Sequence, residues 1–208
     1  MSELSVYAGT ADGRITSFDY SSYSDARGGI GDALSAYTND TADWTVGQLK
    51  IGYYYYCIQA FYPFDTSGLG SGVTLTGAKF SLVSFENNSN TDFDMNLYVY
   101  DFGETVTSAD FRTGTQLAAM TRVASRNTSD GFTVGTRYEW TLSDLSGISK
   151  TGTTYLMLAS KNQADNVAPT DYEGVQACFA NNATEGNRPK LVVTYSAAAT
   201  FCPQCVLI

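Results

Sequence analysis

The carboxylates are the side chains of this sequence that could do chemistry, because it has 21 Asp and Glu residues and no histidine. Histidine is the usual general base and the commonest metal ligand, so a metal site would have to rest on oxygen ligands. Asp92, Asp94 and Asp101, and also Asp165 and Asp171, are candidate ligands of a structural calcium ion. Neither group has the spacing of a calcium-binding helix–loop–helix. Solvated loop carboxylates are therefore the favoured interpretation, and we expect neither a metal nor a cofactor.

Catalysis by carboxylates is a second possibility. A glycoside hydrolase holds two acids that face each other across a cleft. With 21 acids some pair will always fit that description, so the sequence supports no particular pair. We therefore expect a protein that is not an enzyme. The net charge of −9 also argues against nucleic acid as a partner, because an acidic surface repels phosphates.

The four cysteines are the other reactive side chains. Cys202 and Cys205 form a CxxC, which can indicate zinc or redox chemistry. A structural zinc would need Cys57 and Cys178 as well, and both fall in predicted strands; a redox CxxC usually opens a helix, which is not predicted here. The final CVLI also matches a prenylation box, which matters only in a eukaryotic cytosol. The strands of Cys57 and Cys178 could be neighbours, but the N-terminus has no secretory signal, so free thiols are predicted.

Tyrosines number 15, and exposed aromatic rings can bind the faces of sugars. For most strand tyrosines, such as Tyr54, Tyr56 and Tyr195, a place in the core is the favoured interpretation. Tyr98 and Tyr100 lie on the polar side of an alternating strand. They are therefore the candidates for an exposed glycan-binding face.

The segment 53–65, YYYYCIQAFYPFD, is the element around which the other strands are expected to be arranged. Aromatic and β-branched side chains suit a pleated surface, and alternate residues point to opposite faces of a strand. Both sets are largely apolar, so both faces should be covered. The first set is Tyr54, Tyr56, Ile58, Ala60, Tyr62 and Phe64; the second is Tyr53, Tyr55, Cys57, Gln59 and Phe61.

Nine or ten strands separated by turn-rich loops predict an all-β protein, an antiparallel β-sandwich or jelly roll with one or two short helical turns. Asp12-Gly13 predicts a hairpin between the first two strands. The segments 20–43 and 162–174 read as long irregular loops, and Thr107 with Asp110 predicts a short capped helix. The predicted core between the sheets is Phe64, Phe80, Leu97, Val99, Trp140, Leu158, Leu191 and Val193.

Four segments together resemble jelly-roll, carbohydrate-binding-like domains found in structural proteins of tailed bacteriophages. They are AFYPFDTSGLGSGVTLTGAKFSL, NLYVYDFGETVTSADFRTG, KTGTTYLMLAS and NRPKLVVTYS, which fit the order FDTS, a T-x-A-D-F element, a long strand and a terminal RP-x-L-x-V-x-Y strand. Tyr62 departs from the pattern, which has a large aliphatic residue there. The resemblance covers about residues 4–196 and implies a single jelly-roll domain over residues 1–196.

The resemblance implies a non-enzymatic virion structural protein that decorates or stabilises the capsid or is attached to the tail. Its partners would be other copies of itself and other virion proteins, and it would be assembled in the host cytoplasm. An alternative is a glycan-binding module for attachment to a host surface, and a glycan-degrading enzyme is the least favoured. No apolar run approaches ~18 residues, so no membrane span is expected.

Residues 197–208 are predicted to leave the domain as a C-terminal tail. The tail carries Phe201, Val206, Leu207 and Ile208, which would be an aggregation liability in water. We therefore expect these four side chains to contact a neighbouring subunit.

Overall fold

The computed structural model describes residues 1–38, 44–87 and 89–197. The strands are β1 (Ser2–Tyr7), β2 (Gly13–Asp19), β3 (Ala33–Thr38), β4 (Trp44–Ile51), β5 (Tyr54–Asp65), β6 (Thr74–Asn87), β7 (Asp94–Val99), β8 (Arg122–Asn127), β9 (Arg137–Thr141), β10 (Thr153–Ser160), β11 (Tyr172–Ala177) and β12 (Lys190–Ser196). The α-helices are α1 (Tyr23–Gly28), α2 (Gly114–Ala119) and α3 (Lys161–Asp165), and 3-10 turns occupy Ser67–Leu69, Ser108–Asp110, Thr128–Asp130 and Glu185–Asn187.

The strands pair antiparallel throughout, which confirms the predicted all-β sandwich. The first sheet has the order β1-β12-β6-β9. The second contains β11, β4, β5, β10, β7 and β8, with the β2–β3 pair joined to β5. The long strand β6 belongs to both, because its first part pairs with β12 and β9 and its end pairs with β11.

Strand β5 is the branch point of the second sheet. Strand β2 lies along one of its edges, while β10 and β4 follow one another along the other edge. Ala60 accordingly pairs with both β2 and β10, and Ile58 with both β2 and β4. The segment predicted to organise the fold therefore contains a strand that pairs with three others.

The main core lies between the two sheets. Of the eight predicted core residues, seven are buried there and Val99 is partly buried against them. The ring of Phe80 is central, because its centroid lies 5.2 Å from that of Tyr62 and 5.5 Å from that of Trp140. The inner set of the alternating β5 pattern continues into this core through Ala60 and Phe64.

The outer face of the second sheet is covered by α1, α2 and α3 and by the segment that carries Phe102, Val106 and Phe111. A second apolar cluster forms there, and it includes Cys57 and Phe61 of β5. Both faces of the C-terminal part of β5 are therefore covered, as predicted, whereas Tyr54 at its start is 40% exposed. Helix α3 fills the gap between the end of β10 and the start of β4. Its buried Gln163 donates from Nε2 to the Gly47 carbonyl at 2.6 Å and accepts from Gln59 Nε2 at 3.3 Å.

Three local predictions are wrong. The first two strands do not form a hairpin, because β1 pairs with β12 and β2 pairs with β3 and β5. Gly13 is required by the close approach of β3 and not by a turn, because a Cβ atom at this position would lie 2.4 Å from the Tyr37 carbonyl oxygen. The expected loop 20–43 contains α1 and β3, and the expected loop 162–174 begins with most of α3. The capped turn at Ser108–Asp110 is confirmed, with Thr107 and Asp110 forming a capping box.

The two ends of the described chain meet in the first sheet, where Ser2 pairs with Tyr195. The predicted boundary at residue 196 and the docking of the tail stay predictions. Phe201, Val206, Leu207 and Ile208, with Cys202 and Cys205, lie outside the described residues. Within the described ranges, none of the helices has the length and apolar character needed to cross a membrane.

Candidate functional site: a surface of exposed aromatic rings

The turn between β4 and β5 presents aromatic side chains to solvent. Ile51 pairs with Tyr54, which leaves Gly52 and Tyr53 as a two-residue hairpin turn. Gly52 has a φ of 61°, which glycine adopts without strain at the first position of such a turn. Tyr53 follows at the tip of the hairpin and is 72% exposed.

Five rings form one connected group at this end of the second sheet. We call the side chains of Phe18, Tyr20, Tyr53, Tyr54 and Tyr56 the aromatic surface. The rings of Phe18 and Tyr56 stack at 5.6 Å with an interplanar angle of 27°. Tyr20 lies edge-on to Tyr54 at 5.1 Å and 82°, and is 5.8 Å from Tyr53. These separations are typical of favourable aromatic pairs.

Exposure increases from the stacked pair to the tip of the hairpin. Phe18 and Tyr56 are half-buried, whereas Tyr54 is 40% and Tyr20 51% exposed. Burial raises the pKa of the Tyr56 hydroxyl, and the neighbouring Tyr54 contributes. The aromatic surface therefore continues from buried residues of the same sheet, because its half-buried Tyr56 pairs with Leu49, which is 2% exposed.

The turn after β2 fixes the position of Tyr20. Its backbone N–H donates to Asp32 Oδ2 at 2.8 Å. The Asp19 carboxylate accepts from the next two backbone N–H groups, those of Ser21 and Ser22, at 2.9 and 2.7 Å. The carboxylates of Asp19 and Asp32 thus accept from backbone N–H groups. The nearby cation Lys50 lies over the ring of Tyr55, on the face of β5 opposite to Tyr54 and Tyr56.

The two tyrosines proposed for a glycan-binding face do not form one. Tyr98 is 1% exposed and lies in the outer cluster, where its hydroxyl accepts from Asn96 Nδ2 at 3.1 Å. The side of β7 that looks polar in sequence is covered, so the expectation of an exposed Tyr98 is wrong. Tyr100 is half-buried, with Arg112 4.5 Å from its ring centroid and its hydroxyl donating to Asp110 Oδ1 at 3.2 Å.

The calcium-ligand candidates are used separately in local contacts. Asp92 Oδ1 accepts from the Thr128 hydroxyl at 3.0 Å, and Asp94 Oδ1 accepts from the Asn127 side chain at 2.8 Å. Asp101 Oδ1 accepts from the backbone N–H two residues later at 2.9 Å. No three His, Cys, Asp or Glu side chains of the described residues come together as a metal site.

Cys57 and Cys178 are both buried free thiols. They are not neighbours: Cys57 lies in the outer cluster, whereas Cys178 follows β11 on the inner side, near the Tyr62 hydroxyl. Burial is the main cause that raises the pKa of each thiol, which makes both poor nucleophiles.

A shallow groove of about 480 Å³ crosses the solvent face of the first sheet. Gly77 is among the residues that line it, together with Lys79 and Glu139, which form an exposed ion pair of 2.9 Å. Thr141 and Thr194 add hydroxyl groups to its lining. The sequence did not indicate this groove, because its residues come from strands that are distant in the chain.

No family model matches the chain, and no curated protein matches it. Two solved structures to which it is similar are those of infectious bursal disease virus, Gt strain and Gx strain. For the Gt strain the identity is 15%, 95% of this chain and 61% of that chain are covered, and the TM-score is 0.21. For the Gx strain the identity is 11%, 96% of this chain and 61% of that chain are covered, and the TM-score is 0.15. The chain thus spans less than two thirds of either, and at such TM-scores the similarity carries no argument about fold or function.

Proposed function

We propose that this protein is a non-enzymatic structural component of a tailed-bacteriophage virion and that it associates with other copies of itself through the aromatic surface. The proposal is supported by the resemblance of four sequence segments, in their order along the chain, to phage jelly-roll domains. The observation that carries it is the group of three exposed tyrosines, Tyr20, Tyr53 and Tyr54, which adjoin buried residues of the same sheet.

The composition of the aromatic surface suits a protein partner. The centres of protein interfaces are enriched in tyrosine and phenylalanine and depleted of charged residues. Aromatic side chains with few rotatable bonds also lose little conformational entropy on contact. The five rings are already held by their mutual packing, so the surface is largely ordered before a partner arrives.

Charge favours this place for contact between copies. Each chain has a net charge of −9, so two copies repel one another at most approaches. Two copies must therefore associate through a surface where the favourable free energy of uncharged contacts is larger than the unfavourable free energy of charge repulsion. A twofold-symmetric contact would place the aromatic surface of one copy against that of another, which is the commonest arrangement in homo-oligomers.

The function is tested on particles of the phage that encodes the chain. We expect mass spectrometry of purified particles to find the protein at a fixed copy number. Cryo-electron microscopy at side-chain resolution should place Tyr20 and Tyr54 in a contact between subunits. Absence from purified particles, or cleavage of a polysaccharide by the isolated protein, would contradict the proposal.

Glycan binding is a second candidate function, favoured by the groove on the first sheet. A volume of about 480 Å³ accommodates a small oligosaccharide, and Lys79, Glu139 and the threonine hydroxyls offer donors and acceptors. A glycan array tests this candidate with Lys79→Ala and Tyr54→Ser as separate variants. Binding lost only in Lys79→Ala would assign the glycan to the groove, and loss only in Tyr54→Ser would assign it to the aromatic surface.

A further inference from the structure

A buried carboxyl group lies where the β1–β2 connection meets the second sheet. Asp12 is fully buried. Its Oδ2 atom accepts from the backbone N–H of Ala180 at 2.6 Å, whereas Oδ1 has no hydrogen-bond partner among the described residues. Gly13 pairs with Phe61, so Asp12 lies beside Tyr62 on the inner face. The Tyr62 hydroxyl is also buried and also lacks a hydrogen-bond partner within the described ranges.

The β1–β2 connection is a junction of four elements. Backbone N–H groups of Ala8 and Gly9 donate to the carbonyls of Pro189 and Pro63 at 2.9 and 2.8 Å. Asp12 adds the only side-chain bond in this set, to the segment that follows β11. The connection therefore holds β1, β5, β12 and the segment after β11 together, and Asp12 lies at its inner end.

None of the ion pairs among the described residues involves Asp12. Asp12 faces Tyr62 of β5, which also lies near Cys178, and Arg14 follows Asp12 on the same face of β2. The guanidinium of Arg14 lies 4.5 Å from the centroid of the Tyr37 ring. Burial raises the pKa of the Asp12 carboxyl to about 7, and the bond from Ala180 opposes this only in part.

We propose that Asp12 and Tyr62 form a proton-sensitive latch, which holds the segment after β11 against the β1–β2 connection while Asp12 is protonated and loosens when Asp12 loses its proton. A protonated carboxyl can accept from Ala180 with one oxygen and donate with the other, which suits the unpartnered Tyr62 hydroxyl. An ionised carboxylate at the same place is a buried charge without a cation, and local opening returns it to water.

The sign of the pH dependence follows from the raised pKa. The group stabilises the closed state fully below its unfolded pKa, near 3.8, and this stabilisation is lost as the pH rises through about 7. The linkage relation then predicts that the equilibrium constant for opening increases about tenfold between pH 6 and pH 8. Opening would expose Cys178, which is buried in the same segment.

The test is the rate of thiol alkylation at Cys178 relative to Cys57, measured by peptide mass spectrometry between pH 6 and pH 8. Cys57 is buried on the other side of the sheet, so the ratio cancels the general increase of thiol reactivity with pH. We expect the ratio to rise about tenfold in the unmodified protein and to stay constant in Asp12→Asn. The control Asp65→Asn, which changes an exposed acid with a lowered pKa, should keep the rise.

A constant ratio in the unmodified protein, or an equal rise in Asp12→Asn, would overturn the latch. Should Asp12→Asn fail to fold, carboxyl carbon NMR of the unmodified protein decides instead. A titration midpoint of Asp12 near 7 supports the proposal, and a midpoint near 4 contradicts it.

Discussion

The two ends of strand β5 carry the same residue type in opposite environments. At the C-terminal end, Tyr62 is fully buried between the sheets and packs against Phe80 and Phe179. At the N-terminal end, Tyr54 lies on the same face of the strand but is 40% exposed. The difference arises from what covers the strand, because the first sheet lies over Tyr62 but leaves the β4–β5 hairpin exposed.

Stability and recognition are thus associated with opposite ends of one strand. Burial of the Tyr62 end stabilises the sandwich, whereas the Tyr54 end retains apolar area that a partner could bury.

The largest effect is expected from Phe80→Ala, which removes the ring that packs between Tyr62, Phe64 and Trp140. The free energy of unfolding should fall by about 3–5 kcal/mol, because the substitution leaves a cavity in a fully buried site. Urea unfolding followed by tryptophan fluorescence measures it. A loss smaller than that of an exposed substitution such as Phe85→Ala would show that the core is assigned to the wrong end of β5.

The next effect is that of Asp12→Asn, beside Tyr62, measured at pH 8. Above pH 7 the native protein holds an ionised carboxylate that burial disfavours. Replacing it with a neutral amide should raise the free energy of unfolding by up to about 4 kcal/mol at pH 8, and the gain should vanish near pH 4. Thermal melts at both pH values check this, and a gain that is equal at pH 4 and pH 8 would refute it.

A smaller loss of stability is expected from Tyr62→Phe. The substitution keeps the ring in the core and removes the buried hydroxyl to which protonated Asp12 donates in the proposed latch. The free energy of unfolding should fall by about 0.5–1.5 kcal/mol at pH 5, where Asp12 is protonated. Chemical denaturation provides the measurement; a gain in stability would mean that the Tyr62 hydroxyl is unsatisfied in the native protein and would contradict its part in the latch.

The smallest effect is expected at the exposed end. Tyr53→Ser should change the free energy of unfolding by less than about 0.5 kcal/mol, because Tyr53 is 72% exposed at the tip of a hairpin whose turn depends on Gly52. A melting temperature within experimental error of the unmodified protein is expected. A large decrease would show that the aromatic surface is part of the domain's own core.

Sequence periodicity predicted the faces of β5 and the composition of the main core, because alternation states which residues share a face of a strand. It failed at Tyr98, because alternation does not state whether the second face is covered. That cover comes from helices such as α3, whose short segment 161–165 has too few residues for a periodic signal. Its buried Gln163 lies between the end of β10 and the start of β4, at a place that exists only after these distant strands have paired with β5.

The hairpin predicted from Asp12-Gly13 is wrong for a related reason. The dipeptide suits a tight turn, but long-range pairing of β1 with β12 directs the chain elsewhere and buries the carboxylate. The aromatic surface was missed because the tyrosines of β5 were all assigned to the core. The exposed Gly-Tyr turn at its start was the one signal that distinguishes Tyr53 and Tyr54 from Tyr62.

The most direct test of the central claim is sedimentation velocity over a range of protein concentrations, comparing the unmodified domain with Tyr20→Ser/Tyr54→Ser and with Phe85→Ser. Phe85 is 51% exposed and lies outside the aromatic surface, so it controls for the loss of exposed apolar area. We predict that the unmodified domain and Phe85→Ser associate with increasing concentration, while the double variant stays monomeric and keeps its melting temperature. Equal association of all three proteins would contradict the assignment of the aromatic surface as the contact between copies.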